Sequence, residues 1–193
     1  LIYLLLFMII FIETGLVVMP FLPGDSLLFV AGSLAPIGSL DMALLLALLI
    51  PAAIIGDNIN YWVGRTFGLR VLGWKLFGKA LVSRKNLDKT HGYFEKYGVR
   101  TIIIARFVPF VRTITPFVAG IGKMDYRRKF LPYDIIGGVL WITLLLFAGY
   151  AFGQHPFIQK NYEVVILAIV GISVLPMVIE FVRMRWAPKQ AGN

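Results

Sequence analysis

The sequence predicts an all-α integral membrane protein: an inverted repeat of two re-entrant helical hairpins, with transmembrane helices and a cytoplasmic amphipathic segment. Three observations lead there. Hydrophobic residues make up 59% of the 193, only 15% are charged, and mean hydropathy is +0.81. A soluble chain of this size could not keep so much apolar surface from water. Second, two apolar stretches are broken by prolines and carry ionisable groups. Third, those stretches resemble each other. PFLPGDSLLFVAGSL from Pro20 and PFVRTITPFVAGIG from Pro109 both open on Pro-Phe and reach Phe-Val-Ala-Gly, yet one holds Asp25 and the other Arg112.

The first apolar run, Leu1 to Ile12, is shorter than the roughly 20 residues a helix needs to cross the hydrocarbon core, so residues upstream are expected. A cleaved signal peptide competes with that reading, but no basic leading region or A-x-A site accompanies the run. Residues 13–38 are interrupted by Pro20 and Pro23-Gly24. Proline removes a backbone donor and clashes with the preceding turn. At membrane depth, broken backbone survives only inside protein or against a wet cavity. A hairpin that enters and leaves on one side meets that condition. The run 41–66 spans with one acid inside it, Asp57, and a kink expected at Pro51. Residues 101–122, broken by Pro109 and Pro116, form the second hairpin, and helices 134–153 and 164–182 complete the spans.

Between the spans, 70–100 is more than a plain loop. In RVLGWKLFGKALV the apolar residues take one broad face at helical spacing, with Lys75 and Lys79 opposite. Such a helix would lie in the membrane interface or pack as a cap on the protein, two settings with the same pattern. After Ser83 a second short helix is expected, with Leu87, Phe94 and Tyr97 on one stripe and Gly98 as its stop.

Charge orients the chain. Eight basic residues face Asp88 and Glu95 in 70–100; Lys123, Arg127, Arg128 and Lys129 form a second cluster, and the tail 183–193 a third. The positive-inside rule places all three, and both termini, in the cytoplasm. The loop 35–41 has no base and 154–163 only Lys160, so both lie outside. Hairpin 13–38 then dips from outside and hairpin 101–122 from the cytoplasm, within one polytopic domain spanning 1–182. The net charge of +9 is thereby assigned to a membrane surface rather than to nucleic acid.

Glu13, Asp25, Asp57, Arg106 and Arg112 fall at membrane depth, where each costs on the order of 2.5–3.5 kcal/mol on insertion scales. If the hairpin tips meet near the midplane, two acids and two arginines sum to about zero. Guanidinium is a planar, bidentate partner for phosphate, and broken helices offer amides that favour anions, which suits Arg106 and Arg112 to substrate binding. A carboxyl in a low-dielectric cavity can exchange protons near neutral pH, which suits Glu13 and Asp25 to proton coupling. Static ion pairs pinning the hairpins are the structural alternative, although buried pairs stabilise poorly against an apolar isostere. Asp57 is an accessory candidate that Asn58, Asn60 or Arg65 could satisfy. Pro23, Gly24 and Thr113 are accessory candidates beside the acids and arginines, and Asp134 and Glu180 read as interfacial.

Other chemistry is sparse. The chain has no cysteine, and its two histidines, His91 and His155, lie beyond the expected membrane spans, so neither a thiolate nor a carboxylate–histidine metal site is expected. There is no Walker loop, and no membrane-depth histidine to serve a phosphatase nucleophile. No cofactor and no enzymatic activity are expected.

The stretches ETGLVVMPFLPGDSLLFVAGSLA, GDNINYWVGRTFG, ARFVPFVRTITPFVAGIGKM and WITLLLFAGYAFG together resemble the DedA family, also called the SNARE-associated or VTT-domain family. The resemblance implies a bacterial inner-membrane protein with two opposed re-entrant hairpins that transports lipid phosphates. It implies in particular recycling of undecaprenyl phosphate to the cytoplasmic leaflet, dependent on the proton motive force; eukaryotic relatives act as phospholipid scramblases. The family's functional acids match Glu13 and Asp25, and its arginines match Arg106 in ARFVP and Arg112 in VRT. The expectation is a proton-dependent flippase whose partners are membrane lipids, an anionic lipid phosphate and protons; a homo-oligomer is compatible with it. A proton-coupled carrier of a small ion, a phospholipid scramblase, and a non-transporting membrane organiser acting through the basic face are the alternatives.

Overall fold

The computed structural model describes residues 1–15, 24–71, 75–76, 79–80, 84–108 and 111–156. Its helices follow the chain in the order α1 (Ile2–Gly15), α2 (Gly24–Leu34), α3 (Met42–Val71), α4 (Arg84–Tyr97), α5 (Thr101–Ala105), α6 (Val111–Ile121) and α7 (Leu131–Gly153). Asp41 starts α3: its Oδ1 accepts the Leu44 amide at 2.8 Å, and its own amide donates to the Tyr3 hydroxyl at 2.7 Å. A side-chain acceptor here satisfies one of the four amides a helix start leaves open. Two helical stretches, Met42–Gly68 and Tyr126–Gly153, are long and apolar enough to cross a membrane, each with a mean hydropathy of 2.1. Only a third of each is buried. Ile55, Ile59, Trp62, Ile136, Leu144 and Phe147 face outward, as lipid-facing side chains would.

The core is shared between the long helices and the broken segments. Leu6, Ile10, Leu28, Leu45, Leu49, Trp141, Ile142 and Leu146 form its larger part, and Tyr61, Ile102, Ala119 and Phe130 pack at the other end. The pairing is exchanged: α2 lies on α7, and α6 lies on α3. Glycines set both crossings. A Cβ on Gly149 would overlap the carbonyl oxygen of Phe29, and one on Gly32 that of Leu146. At the other crossing a Cβ on Gly64 would overlap the carbonyl oxygen of Phe117, and one on Gly120 that of Tyr61. Gly64-x-x-x-Gly68 on α3 therefore does for α6 what Gly149-x-x-x-Gly153 on α7 does for α2, the small-residue spacing that lets helix backbones touch in lipid. Replacing Gly149 with valine should destabilise the folded protein by at least about 1–3 kcal/mol, the usual cost of overpacking, because a backbone atom rather than a flexible side chain stands in the way. Thermal unfolding in detergent, against the wild type and an exposed Gly92→Ala control, measures it.

Several elements depart from the sequence-based expectation. The limit drawn at residue 13 falls inside α1, since nothing between Ile12 and Gly15 breaks a helix; Leu1–Ile12 and the start of 13–38 are one element. Pro116 sits within α6 and does not end it. It forfeits only the bond its amide would have made to the Arg112 carbonyl, while the Thr115 hydroxyl donates to the Val111 carbonyl at 2.7 Å. Within 70–82, expected to be helical, Lys75–Leu76 (β1) and Lys79–Ala80 (β2) form instead a two-stranded antiparallel pair, with Lys75 opposite Ala80. By sequence, the neighbouring Gly73 and Gly78 would each cost a helix about 1 kcal/mol. The helix expected after Ser83 is α4, which Gly98 ends at φ +57°. Phe94 of α4 packs against Ile114, Phe117 and Val118 of α6, so this helix is turned toward protein. Pro20, Pro23, Pro109, the helix expected at 164–182 and the basic tail 183–193 lie outside the described residues.

Candidate functional site

Six ionisable side chains from six places in the chain gather between the two broken segments. Arg112, in the first turn of α6, donates to two acids: Nη2 to Oε1 of Glu13 near the end of α1, and Nη1 to Oδ1 of Asp25 at the start of α2, the latter at 2.5 Å. Trp141 of α7 completes this group. Its indole N–H donates to Oδ1 of Asp25 at 3.0 Å, and the Arg112 guanidinium carbon lies 5.1 Å from its ring centre. A guanidinium over an indole face adds a cation–π attraction to the two ion pairs. Access within the group is uneven. The Glu13 side chain is 1% exposed and that of Arg112 13%, whereas Asp25 is 47% exposed.

Arg106, in the turn after α5, has its own two acids. Its Nη2 donates to Oδ2 of Asp57 on α3, to Oδ1 of Asp134 on α7 at 2.6 Å, and to the Asp134 carbonyl at 3.3 Å. All three side chains are almost fully buried. The guanidinium crosses α7 where Gly137 and Gly138 leave room for it: a Cβ on Gly137 would come 3.0 Å from Cδ and Nε of Arg106. Behind Asp134 the polar chain continues. Asn58 donates from Nδ2 to Oδ2 of Asp134 at 3.2 Å and to the Ile54 carbonyl at 2.6 Å, and its Oδ1 accepts from the Tyr126 hydroxyl at 2.5 Å.

The two groups open on one cavity, lined by Glu13, Thr14, Asp57, Arg106, Arg112, Thr113 and Trp141. Its free space is about 10 Å³, close to what a single water requires. The cavity therefore cannot hold a phosphate until side chains move. Asn60 ties its walls together, donating to the backbone carbonyl of Thr113 at 2.7 Å and to that of Thr14 at 3.3 Å. Two buried acceptors at this site have no hydrogen-bond partner among the described residues, Oε2 of Glu13 and Oδ1 of Asn60. Oε2 lies where a Cβ on Gly24 would sit, so any larger residue there would have to displace the Glu13 carboxylate.

The expected site residues are thus sorted as follows. Glu13, Asp25, Arg106, Arg112, Asp57, Gly24 and Thr113 all meet at or beside this cavity; Pro23 lies outside the described residues. The near-neutral group of four is replaced by two triads, each with one arginine and two carboxyls. Asp57 is held by Arg106 and not by Asn58, Asn60 or Arg65, whose bonds go elsewhere. Asp134, expected at the interface, is fully buried. Five further helical residues, Tyr126–Phe130, precede α7, which sets Asp134 about two turns inside the combined helix. Trp141 is legible in the sequence only as an aromatic of a span, and no spacing marks it as a partner of Asp25. Among the described residues no group of three or more histidine, cysteine or acidic side chains could hold a metal ion.

Residues 22–151 match the family model for the VTT domain. The chain belongs to the VTT-domain, or DedA, family. Escherichia coli K12 Protein DedA is 50% identical over 197 residues, covering all of this chain and 87% of the relative. An uncharacterized membrane protein of Mycobacterium leprae is 43% identical, covering 89% of this chain and 75% of its own length. Escherichia coli K12 inner membrane protein YghB is 34% identical, covering 90% and 79%. No solved structure matches the chain. The VTT-domain match includes five of the six ionisable residues and Trp141; Glu13 lies before it. With membrane proteins as relatives and two helices of spanning length, this VTT-domain chain is a membrane protein.

Proposed function

We propose that the protein is a proton-dependent translocase that moves lipid phosphate headgroups between leaflets, with undecaprenyl phosphate carried to the cytoplasmic side as the leading substrate. One observation carries the reading: two guanidiniums, each neutralised by carboxyls that could let go, line a single cavity between two broken helical segments. In this reading α3 and α7 span the bacterial inner membrane. The segments 13–38 and 101–122 dip into it from opposite sides as re-entrant hairpins, and both termini are cytoplasmic.

Charge arithmetic couples the headgroup to protons. Four carboxyls face two guanidiniums, so full ionisation leaves two negative charges in surplus. A phosphate approaching such a site meets repulsion that low dielectric strengthens. Protons taken up by Asp25 and Glu13 remove it and release Arg112, whose fork then holds the phosphate oxygens. Asp25, the exposed member, is the first to meet the headgroup. The lipid tail stays in the bilayer while the headgroup passes from Arg112 toward Arg106, and the carboxyls re-form their pairs as the protons leave on the cytoplasmic side. No covalent step is involved, and no cofactor.

Proteoliposomes loaded with labelled undecaprenyl phosphate test the reading. The wild type should exchange label between leaflets faster than empty liposomes, and an acidic exterior should raise the rate further. A rate equal to that of empty vesicles sinks the lipid reading. Proton-driven uptake of a small anion by the same vesicles would then favour an ion carrier.

A further inference from the structure

We infer that the two carboxyls on Arg106 have different jobs: Asp57 is a gate that leaves Arg106 when an anionic phosphate enters, and Asp134 is the fixed mount that keeps Arg106 aimed at the cavity. The inference rests on the translocase reading above. Its basis is a difference in surroundings. Asp57 is on the cavity wall, and Asp134 is not among the residues that line it. Asp134 instead uses both carboxyl oxygens, Oδ1 for Arg106 and Oδ2 for Asn58, while its backbone carbonyl takes a further contact from Nη2.

Asn58 in turn is fixed at both ends, by the Ile54 carbonyl and the Tyr126 hydroxyl. Moving Asp134 would break this chain; moving Asp57 breaks its bond to Arg106. The mount extends to α7 itself, because Gly137 and Gly138 seat the Arg106 side chain directly on the helix that carries Asp134. Asp57 also has somewhere to go. Both carboxyls bond the same nitrogen, Nη2 of Arg106, so Asp57, once it holds a proton, can turn to donate to Asp134 and leave one side of the guanidinium open. The charged groups at this end of the cavity are then Arg106 and Asp134, with Arg112, Glu13 and Asp25 facing them. Inorganic phosphate and a lipid phosphate headgroup present the same oxygens to that opening.

The test measures binding to the purified full chain in detergent, with inorganic phosphate in one arm and a short-chain polyprenyl phosphate in the other. Asp57→Asn removes the competitor and leaves Arg106 paired with Asp134. It should bind at least one probe about tenfold tighter than the wild type, the scale of one charge-assisted bond, while transferring lipid between leaflets more slowly. Asp134→Asn should weaken binding by about tenfold on the same scale. Tyr126→Phe, which leaves every charge in place, should weaken it by about threefold and serves if Asp134→Asn does not fold. A merely structural Asp57 would lower binding and transfer together. Asp57→Asn binding no tighter than wild type for either probe overturns the inference, as does equal tightening by Asp134→Asn. If the wild type moves lipid while Asp57→Asn binds like wild type, only this inference falls. A wild type that neither binds nor moves lipid removes the translocase reading with it.

Discussion

Arg112→Ala is expected to reduce lipid movement to the rate of protein-free vesicles and to weaken the fold as well. The guanidinium bridges α1, α2 and α6 through Glu13 and Asp25. Removing one partner of a buried pair typically costs about 3–5 kcal/mol, because the charge left behind has lost its counter-ion. The stranded charge here is Glu13, since Asp25 is half exposed and water can serve it. Pairing the change with Glu13→Gln should therefore restore much of the thermal stability without restoring transport. Arg112→Lys separates charge from shape. An ammonium is a point donor that cannot hold two carboxyls, or two phosphate oxygens, in one rigid fork. The lysine variant should fold and still lose most of its transport. Full transport by Arg112→Lys would show that positive charge alone suffices, and the bidentate account would fail.

Glu13→Gln is the second large effect, and it acts on coupling rather than on binding. Oε1 of Glu13 accepts from Arg112, while Oε2 is packed against Gly24 with no partner among the described residues. Glutamine keeps the size and cannot change charge. Arg112 in this variant retains Asp25 and the Trp141 ring, so the site stays assembled. Lipid exchange should continue down its gradient, with the response to an imposed pH gradient lost. Measuring leaflet exchange with and without an acidic exterior decides it: an unchanged pH response would take Glu13 out of the coupling path.

Much of this molecule is legible from its residues, and the failures have physical causes. The spans α3 and α7 announce themselves through long uncharged runs. The four ionisable residues of the broken segments stand out because nothing cheap explains a charge at that depth. Which acid meets which arginine is not legible, since pairing depends on how α2 and α6 exchange partners across the long helices. Asp134 misleads for a related reason. A span read as starting at 134 leaves Asp134 at a helix end, yet Tyr126–Phe130 continues the helix backwards and Asp134 is buried. Lys75–Leu76 and Lys79–Ala80 mislead through a helical period and pair as strands instead. Trp141 carries no signal, because a tryptophan in a span is ordinary until its N–H is seen to face an acid.

The exchanged crossings have a consequence for how the chain is made. Synthesis delivers α1, α2 and α3 well before α6 and α7, yet α2 needs the glycine face of α7, and Gly64 of α3 waits for Phe117. The first half must therefore be held in the membrane with its crossing surfaces uncovered and with Glu13 and Asp25 still lacking Arg112. Glu13, buried in the finished fold, is the acid that spends that interval without its counter-ion. The crossing of α3 with α6 can close once α6 is made, but that of α2 waits for α7, so a late helix completes the contacts of an early one.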